Sequence, residues 1–368
     1  MHILHTENSL GWGGQEIRIL TEAQGMQARG HRVALLAPAE ALIAQRAAQY
    51  DVTCVTAAIG RKNFTGWRAM RRALRELAPD VVNTHSSTDT WLTALALKSM
   101  RSALPLVRTR HISAPIPPNA SSRWLYTRAT RHVVTTGEAL REQVMRETGA
   151  LAANVTSVPT GIDLRRYQPV ADAATKTALR TQLGLPENSA LIGIVATLRS
   201  WKGHRFLIDA LALLRAQNRS IHLVIVGDGP QRQSLEEQAL ARGLKESITF
   251  AGNQSDVVPW LQSLDAFALP SYANEGVPQA LLQALACALP VVTTNAGAIG
   301  EICRPAETAL VVVQQDSAAL AQALARVLDD EALGKRLGEA GCALVTAKHS
   351  LPYMLDQMEA VFNAARGQ

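Results

Sequence analysis

Cysteine is scarce in this chain, and the four that occur, Cys54, Cys287, Cys303 and Cys342, stand far apart with no pair at metal-ligand spacing. That spacing excludes a zinc-ribbon or CxxC redox reading, and free thiols buried in a reducing compartment are the expectation. Long apolar runs are lacking as well. Ala309-Leu-Val-Val-Val313 is typical of the longest, far short of the ~20 residues that cross a bilayer as a helix. The N-terminal Met1-His-Ile-Leu-His5 reads directly as a strand, without a basic segment followed by an apolar one, so no signal peptide and a cytoplasmic location are expected. No low-complexity tract interrupts the 368 residues, 47% of which are hydrophobic. A globular protein too long for one core follows, and with it two domains.

The net charge of +6 is unevenly spread: residues 1–168 hold 21 Lys/Arg against 12 Asp/Glu, while residues 169–368 are slightly acidic. A basic half fits nucleic acid, an anionic membrane or a phosphorylated substrate. No nucleic-acid motif accompanies the charge, so nucleic acid is not an expected partner. Arg68, Arg71, Arg72 and Arg75 follow helical spacing on one face of a helix over Phe64–Leu77. Such a stripe is either a solvated face or a surface for anionic lipid headgroups. Arg123-Trp-Leu-Tyr-Thr-Arg128 adds aromatic and basic groups suited to a membrane interface.

Short apolar runs alternate with helical patterns throughout, which predicts an α/β protein with parallel sheets and helices on both faces. Strands are expected around Ile3, Arg32–Leu36, Val52–Val55, Asp80–His85, Leu104–Arg110, Val133–Thr136 and Val155, with helices at Gln15–Ala28 and Glu138–Glu147. A linker with a short helix occupies about 164–188, and a second strand–helix series starts at Leu191. The glycine turn Ser9–Gly14 after the first strand lacks the third glycine of GxGxxG, because Glu16 stands there. His111 follows one expected strand and His85 another, at the carboxyl ends where ligands gather in open α/β sheets; a lone loop histidine is more often an ordinary surface residue.

The densest signal runs from Glu275 to Thr294, read as loop, helix and strand. Pro278 suits a first helical position, and the Ala/Leu run to Ala288 favours helix. Unpaired N–H groups and the helix dipole at such a start welcome an anion. Glu275 sits at the mouth, and Gln283 lies about 9 Å along the axis at ~1.5 Å per residue. Together they outline a sugar, a diphosphate and a ribose; a buried Ala/Leu helix with a flanking Glu is the plainer alternative. Thr197-Leu-Arg199-Ser-Trp-Lys202-Gly203 places two cations beside another helix start, where they could neutralise a departing diphosphate.

Ser271-x-x-x-Glu275-Gly276-x-Pro278, continued by Ala286-Cys-Ala-Leu-Pro-Val-Val292, resembles the signature of retaining glycosyltransferases of family 4. Gly13-Gly14-Gln15-Glu16, Thr109-Arg-His111-Ile-Ser113, Val158-Pro-Thr-Gly-Ile-Asp163 and Val226-Gly227-Asp-Gly-Pro230 are similar to further segments of that family, so the likeness covers nearly the whole chain. It implies the glycosyltransferase-B fold, two Rossmann-like domains facing across a cleft. Residues 1–168 would form the acceptor domain, with a C-terminal helix at 350–366 crossing back onto it, and residues 169–349 the donor domain. In this likeness Glu275 and His111 orient the donor sugar, with His85 the second choice for the latter. Lys202 and Arg199 meet the leaving diphosphate. Gly13, Gly14, Gly276, Val277 and Pro278 approach phosphate or sugar, Gly227 and Gly252 edge the base pocket, and Gln283 takes the ribose. Thr197 stands where the family has Arg, Gln283 where it has Glu, and Ile299-Gly300 replace x-Pro in a turn. A β-branched Ile299 would resist a positive φ there.

The implied reaction moves a sugar from a nucleotide-diphosphate sugar to an acceptor hydroxyl with retention, without metal or cofactor. The acceptor would be a lipid-linked cell-envelope glycan such as lipopolysaccharide core or O-antigen, with peripheral contact at the anionic inner-membrane surface. A non-catalytic partner subunit and a sugar-nucleotide epimerase of the same fold are the alternatives.

Overall fold

The computed structural model describes residues 1–273 and 275–367. The chain divides into two units, Met1–Gly161 together with the C-terminal residues from Leu351, and Ile162–Ser350. The boundary therefore falls before Ile162 rather than after residue 168. The Ile162 N–H donates to the His349 carbonyl at 2.8 Å, and Tyr167 is held by Gln283, which ties residues 162–168 to the second unit.

In the first unit β1 (His2–Thr6), β2 (Arg32–Ala37), β3 (Thr53–Thr56), β4 (Val81–Thr84), β5 (Leu106–Arg110), β6 (His132–Thr135) and β7 (Val155–Ser157) form a parallel sheet in the order β3-β2-β1-β4-β5-β6-β7. Its central strands are buried along their whole length, as a sheet covered on both faces requires. Alternate side chains enter opposite layers. Ile3 joins Ile19, Met26, Met354, Met358 and Phe362 under the Gly14–Ala28 and Leu351–Arg366 helices, whereas Leu4 joins Met70 and Leu92 under Phe64–Leu77 and Ser87–Met100. Gly25 lets the first two helices approach: a Cβ there would lie 2.5 Å from Leu355 Cδ1.

The second unit repeats the plan with β8 (Ala190–Val195), β9 (Ile221–Val226), β10 (Ile248–Gly252), β11 (Ala266–Leu269), β12 (Val291–Thr294) and β13 (Leu310–Val312), in the order β10-β9-β8-β11-β12-β13. Helices at His204–Arg215, Gln279–Ala286, Ser317–Asp329 and Glu331–Lys348 flank it, burying Leu207, Leu281, Leu285, Leu324 and Leu337. In each sheet the strand order reverses once, between β1 and β4 and between β8 and β11. Each switch point leaves a crevice at the carboxyl ends of its own sheet, the place where ligands bind in this architecture.

The turn after β12 keeps Ile299 out of the left-handed region, as its β-branched side chain requires. Gly297, not Ile299, takes the left-handed conformation (φ 55°), and Ile299 is fully buried in the core. The short helical turn Gly297–Glu301 thus uses the β-branched side chain for packing and leaves the strained position to glycine.

Candidate functional site

At the β8/β11 switch the chain leaves each strand through a loop, and the two loops are stitched together. Gly203 (φ 77°) has room only for hydrogen, since a Cβ would lie 2.0 Å from the Pro270 carbonyl oxygen. Tyr272 N–H donates to the Trp201 carbonyl at 2.9 Å. This docking presents Lys202 to Glu275. Lys202 Nζ donates to both carboxylate oxygens, at 2.7 and 2.9 Å, and Ser271 Oγ donates to Oε1 at 2.7 Å. The Glu275 side chain is 5% exposed and that of Lys202 17%, so the pair is a partly sheltered charge-assisted contact. Behind it, the Glu275 carbonyl accepts the Ala298 N–H, and Gly297 admits that carbonyl because a Cβ would stand 2.0 Å from it.

The helix after Glu275 starts one residue later than its sequence suggests. Pro278 (ψ 125°) is its cap rather than its first helical residue, and Gln279–Ala286 follows. Gln283 is therefore about 6 Å along the axis from the first helical residue, four residues at ~1.5 Å each. Its buried amide donates to the Tyr167 hydroxyl at 2.9 Å. Val277 and Pro278 are buried and Gly276 is half-buried. Gly227 (φ 133°) and Gly252 (φ 70°) meet directly, Gly227 N–H donating to the Gly252 carbonyl at 2.8 Å. A Cβ on Gly227 would lie 2.0 Å from the Ala196 carbonyl, so this glycine brings the β9 turn against the β8 loop. Thr197 is exposed and its carbonyl accepts the Arg199 N–H at 2.7 Å. Arg199 is exposed too, its guanidinium 5.8 Å from the centre of the Trp201 ring.

The β1/β4 switch of the first unit is more acidic inside than its surface charge suggests. Gly13 caps the Gly14–Ala28 helix in an extended conformation, and Glu16 in the first turn is buried. Glu7, following β1, accepts from Gln15 Nε2, Ser86 Oγ and the Ser9 N–H. Asp89 accepts from Thr6 Oγ1 at 2.7 Å and from the His85 and Ser86 N–H groups at 3.0 Å. Burial raises Glu7, Glu16 and Asp89 above the ordinary carboxylate range, and the Glu7 charge raises the other two further. His111 and His85 are brought together: His111 Nε2 lies 3.0 Å from His85 Nδ1. Burial holds both well below the ordinary imidazole value. Sequence reasoning quoted Ser271 in a motif without giving it a role and missed Gly297, Tyr167, Glu7 and Asp89; of these four, Asp89 carries a local signal, its place three residues after Ser86 in a capping box.

Elsewhere on this unit, Phe64, Trp67, Trp91 and Leu95 line a groove of about 870 Å³ together with Lys62, Lys98 and Arg101. Arg71 lies over the Trp67 ring and Arg68 over Phe64, whereas Arg72 pairs with Glu76 at 2.7 Å. No helix among the described residues is long and apolar enough to cross a membrane, and no group of three or more His, Cys, Asp or Glu among them is placed to hold a metal ion.

Two family models match the chain in succession: "Glycosyltransferase Family 4" over residues 12–166 and "Glycosyl transferases group 1" over residues 175–343. A GDP-mannose-dependent monoacylated alpha-(1-6)-phosphatidylinositol monomannoside mannosyltransferase of Corynebacterium glutamicum is 31% identical over 209 residues, 55% of this chain and 54% of the relative. The chain spans about half the length of the first curated relatives it matches. Among solved structures, Anabaena HepE in complex with UDP and glucose aligns over 99% of this chain and 100% of its own, at 20% identity and a TM-score of 0.86. WaaG, a glycosyltransferase involved in lipopolysaccharide biosynthesis, aligns over the full length of both chains at 17% identity and a TM-score of 0.74. These likenesses are of fold. With one family model on each half and two Rossmann-like units of the glycosyltransferase-B kind beneath them, the chain belongs to the group 1 glycosyltransferases of family 4.

Proposed function

We propose that this protein transfers a sugar from a nucleotide-diphosphate sugar to an acceptor hydroxyl with retention of configuration. The observation that carries the reading is the Lys202–Glu275–Ser271 cluster at the β8/β11 switch, beside the start of the Gln279–Ala286 helix. A diphosphate lying against the first N–H groups of that helix meets donors that have no partner inside the helix. Lys202 and the exposed Arg199 supply the positive charge needed as the sugar–phosphate bond breaks and negative charge gathers on the leaving oxygen. Glu275 keeps acceptor capacity beyond its Lys202 and Ser271 contacts, since a carboxylate offers about four lone-pair sites. A donor-sugar hydroxyl is its natural partner. Gln283 exchanges its Tyr167 contact for a ribose hydroxyl, Gly227 and Gly252 border the base, and Gly13, Gly14 and His111 keep the donor-contacting role that the family likeness implies. No metal or cofactor enters this reading.

The acceptor we assign is a lipid-linked envelope glycan, handled at the cytoplasmic face of the inner membrane. Support comes from the aromatic groove that Lys62, Lys98 and Arg101 help to line on the basic unit. Aromatic side chains suit the headgroup level of a bilayer, and each basic neighbour adds about 1 kcal/mol of attraction to an anionic leaflet. The phosphatidylinositol-linked substrate in the relative's name points the same way.

The test is release of nucleoside diphosphate from a panel of UDP-, GDP- and ADP-sugars, with and without cell-envelope extract, followed by anomeric assignment of the product. Extract-dependent release with the donor's configuration preserved is expected. Donor consumption without any acceptor would show an epimerase instead, and absence of both donor binding and release would show a partner subunit. Equal turnover on a neutral soluble sugar would remove the lipid-linked acceptor.

A further inference from the structure

Three histidines on three adjacent strands form one hydrogen-bonded line in the first unit. His5 in β1 places Nδ1 2.9 Å from His85 Nε2, and His85, at the end of β4, places Nδ1 3.0 Å from His111 Nε2, just past β5. Successive ring centroids are 5.2 Å apart. His5 is fully buried, His85 is 4% exposed and His111 is half-buried. At the inner end His5 Nε2 has no hydrogen-bond partner and lies 3.9 Å from Glu22 Oε1; Arg18 Nε stands 3.8 Å from the other carboxylate oxygen. At the outer end His111 Nδ1 has no hydrogen bond among the described residues.

A neutral imidazole has one N–H and one bare nitrogen. In a line of three such rings both hydrogen bonds must therefore run in the same direction. Outward, His5 Nδ1–H donates to His85, His85 Nδ1–H donates to His111, and His111 shows an N–H at Nδ1. Inward, His111 Nε2–H donates to His85, His85 Nε2–H donates to His5, and His5 turns an N–H toward Glu22. Then His111 shows a bare lone pair. The charges at the inner end break the tie. Arg18 is fully buried, donates to the Val158 carbonyl at 2.7 Å, and has Glu22 as its carboxylate neighbour. A buried guanidinium requires a compensating anion, and a carboxylate facing His5 Nε2 favours an N–H there.

We propose that His5, His85 and Glu22 are positioning residues for His111, holding it with its proton on Nε2 so that Nδ1 offers a lone pair to a ligand hydroxyl. The ligand part rests on the glycosyl-transfer reading; the tautomer does not. The remaining charged groups near the line are Glu7 and Asp89 by β1 and β4, both already engaged by hydrogen bonds, while the Leu351–Arg366 helix contributes the apolar Met358 and Phe362. Burial pushes Glu22 up to about 7, with Arg18 and Asn83 pulling it back, so the inward sense belongs to neutral and higher pH.

Nitrogen-15-labelled histidine spectra of the whole protein at slightly alkaline pH read the tautomer directly, because protonated and bare ring nitrogens resonate far apart. The wild-type protein is expected to show His111 protonated at Nε2. Glu22→Gln, whose amide can donate to His5 Nε2, is expected to reverse the line and move the His111 proton to Nδ1; Glu22→Asp is expected to keep the wild-type form. A wild-type His111 protonated at Nδ1 overturns the proposal without any variant, as does a Glu22→Gln protein that is folded and unchanged in tautomer. If the tautomers behave as expected but His111→Ala leaves donor turnover intact, the line stands and the assignment of His111 to the donor falls.

Discussion

Glu275 and Lys202, 73 residues apart in the chain, share two contacts, with Nζ 2.7 and 2.9 Å from the two carboxylate oxygens. The carboxylate is almost fully enclosed, whereas the Lys202 side chain keeps 17% of its surface exposed. Removing either partner therefore has unequal consequences. Lys202→Met leaves Glu275 buried with only Ser271 as a side-chain partner, a loss expected to cost about 3 kcal/mol of stability. Glu275→Gln keeps the shape and can still accept from Lys202, so stability should change less while donor turnover falls ~10²-fold or more. Chemical unfolding and steady-state turnover of both variants check this. Equal turnover of Glu275→Gln and wild type would take the sugar-orienting role from Glu275.

Gly297 provides a separate handle on the same carboxylate. Its φ of 55° and the 2.0 Å approach of a would-be Cβ to the Glu275 carbonyl mean that any side chain must displace the Glu275 backbone. Gly297→Ala is expected to cost well over ~1 kcal/mol and to reduce turnover by shifting Glu275. Gly300→Ala, three residues on with nothing within 4 Å of its Cβ, is the matched control and should leave both unchanged. Melting temperatures and turnover of the pair decide the matter; similar values for the two variants would contradict the close approach.

Much of this frame is readable from the chain. Parallel strands announce themselves as short β-branched runs, and the Phe64–Leu77 helix has the bounds that its residues suggest. The Ser87–Met100 helix is hidden because it buries Thr90 and Thr93 together with Leu92 and Leu97, leaving no apolar stripe to read. Its capping box, Ser86 with Asp89, was the available signal. Site geometry was hidden for a different reason. Lys202 and Glu275 each stand out in a motif, but their pairing depends on β8 and β11 being neighbours and on the room left by Gly203 and Gly297. His5 looks like any strand residue until β1, β4 and β5 are known to lie side by side.

Gln283 donates its amide to Tyr167, and the same hydroxyl could donate to a carboxylate in that place. Gln283→Glu should therefore fold as well as wild type. If position 283 meets the ribose, the carboxylate adds a charge-assisted bond of roughly 1–2 kcal/mol, or about tenfold tighter binding of nucleoside diphosphate. Calorimetric titration with UDP and GDP measures it. Unchanged affinity for every nucleotide that binds would move the ribose away from Gln283.

His204, the first residue of the helix behind Lys202, is 2% exposed with neither ring nitrogen hydrogen-bonded. Burial, and then the Lys202 charge, push it down to about 3 from an ordinary 6.5. As pH falls below the ordinary value, the unfolded chain takes up a proton that the folded protein refuses, so stability drains away from about pH 6.5 towards 3 and is unaffected above that window. Each pH unit inside it removes about 1.4 kcal/mol for this one group. His204→Leu deletes the proton and also relieves two unsatisfied nitrogens, so at neutral pH it should be as stable as wild type or more so. Urea unfolding of both proteins at about pH 7.5 and about pH 5 should show the variant's advantage growing as the solution is acidified. Parallel losses in the two proteins would mean that His204 takes up its proton in the folded state, and hence that it has a hydrogen-bond partner after all.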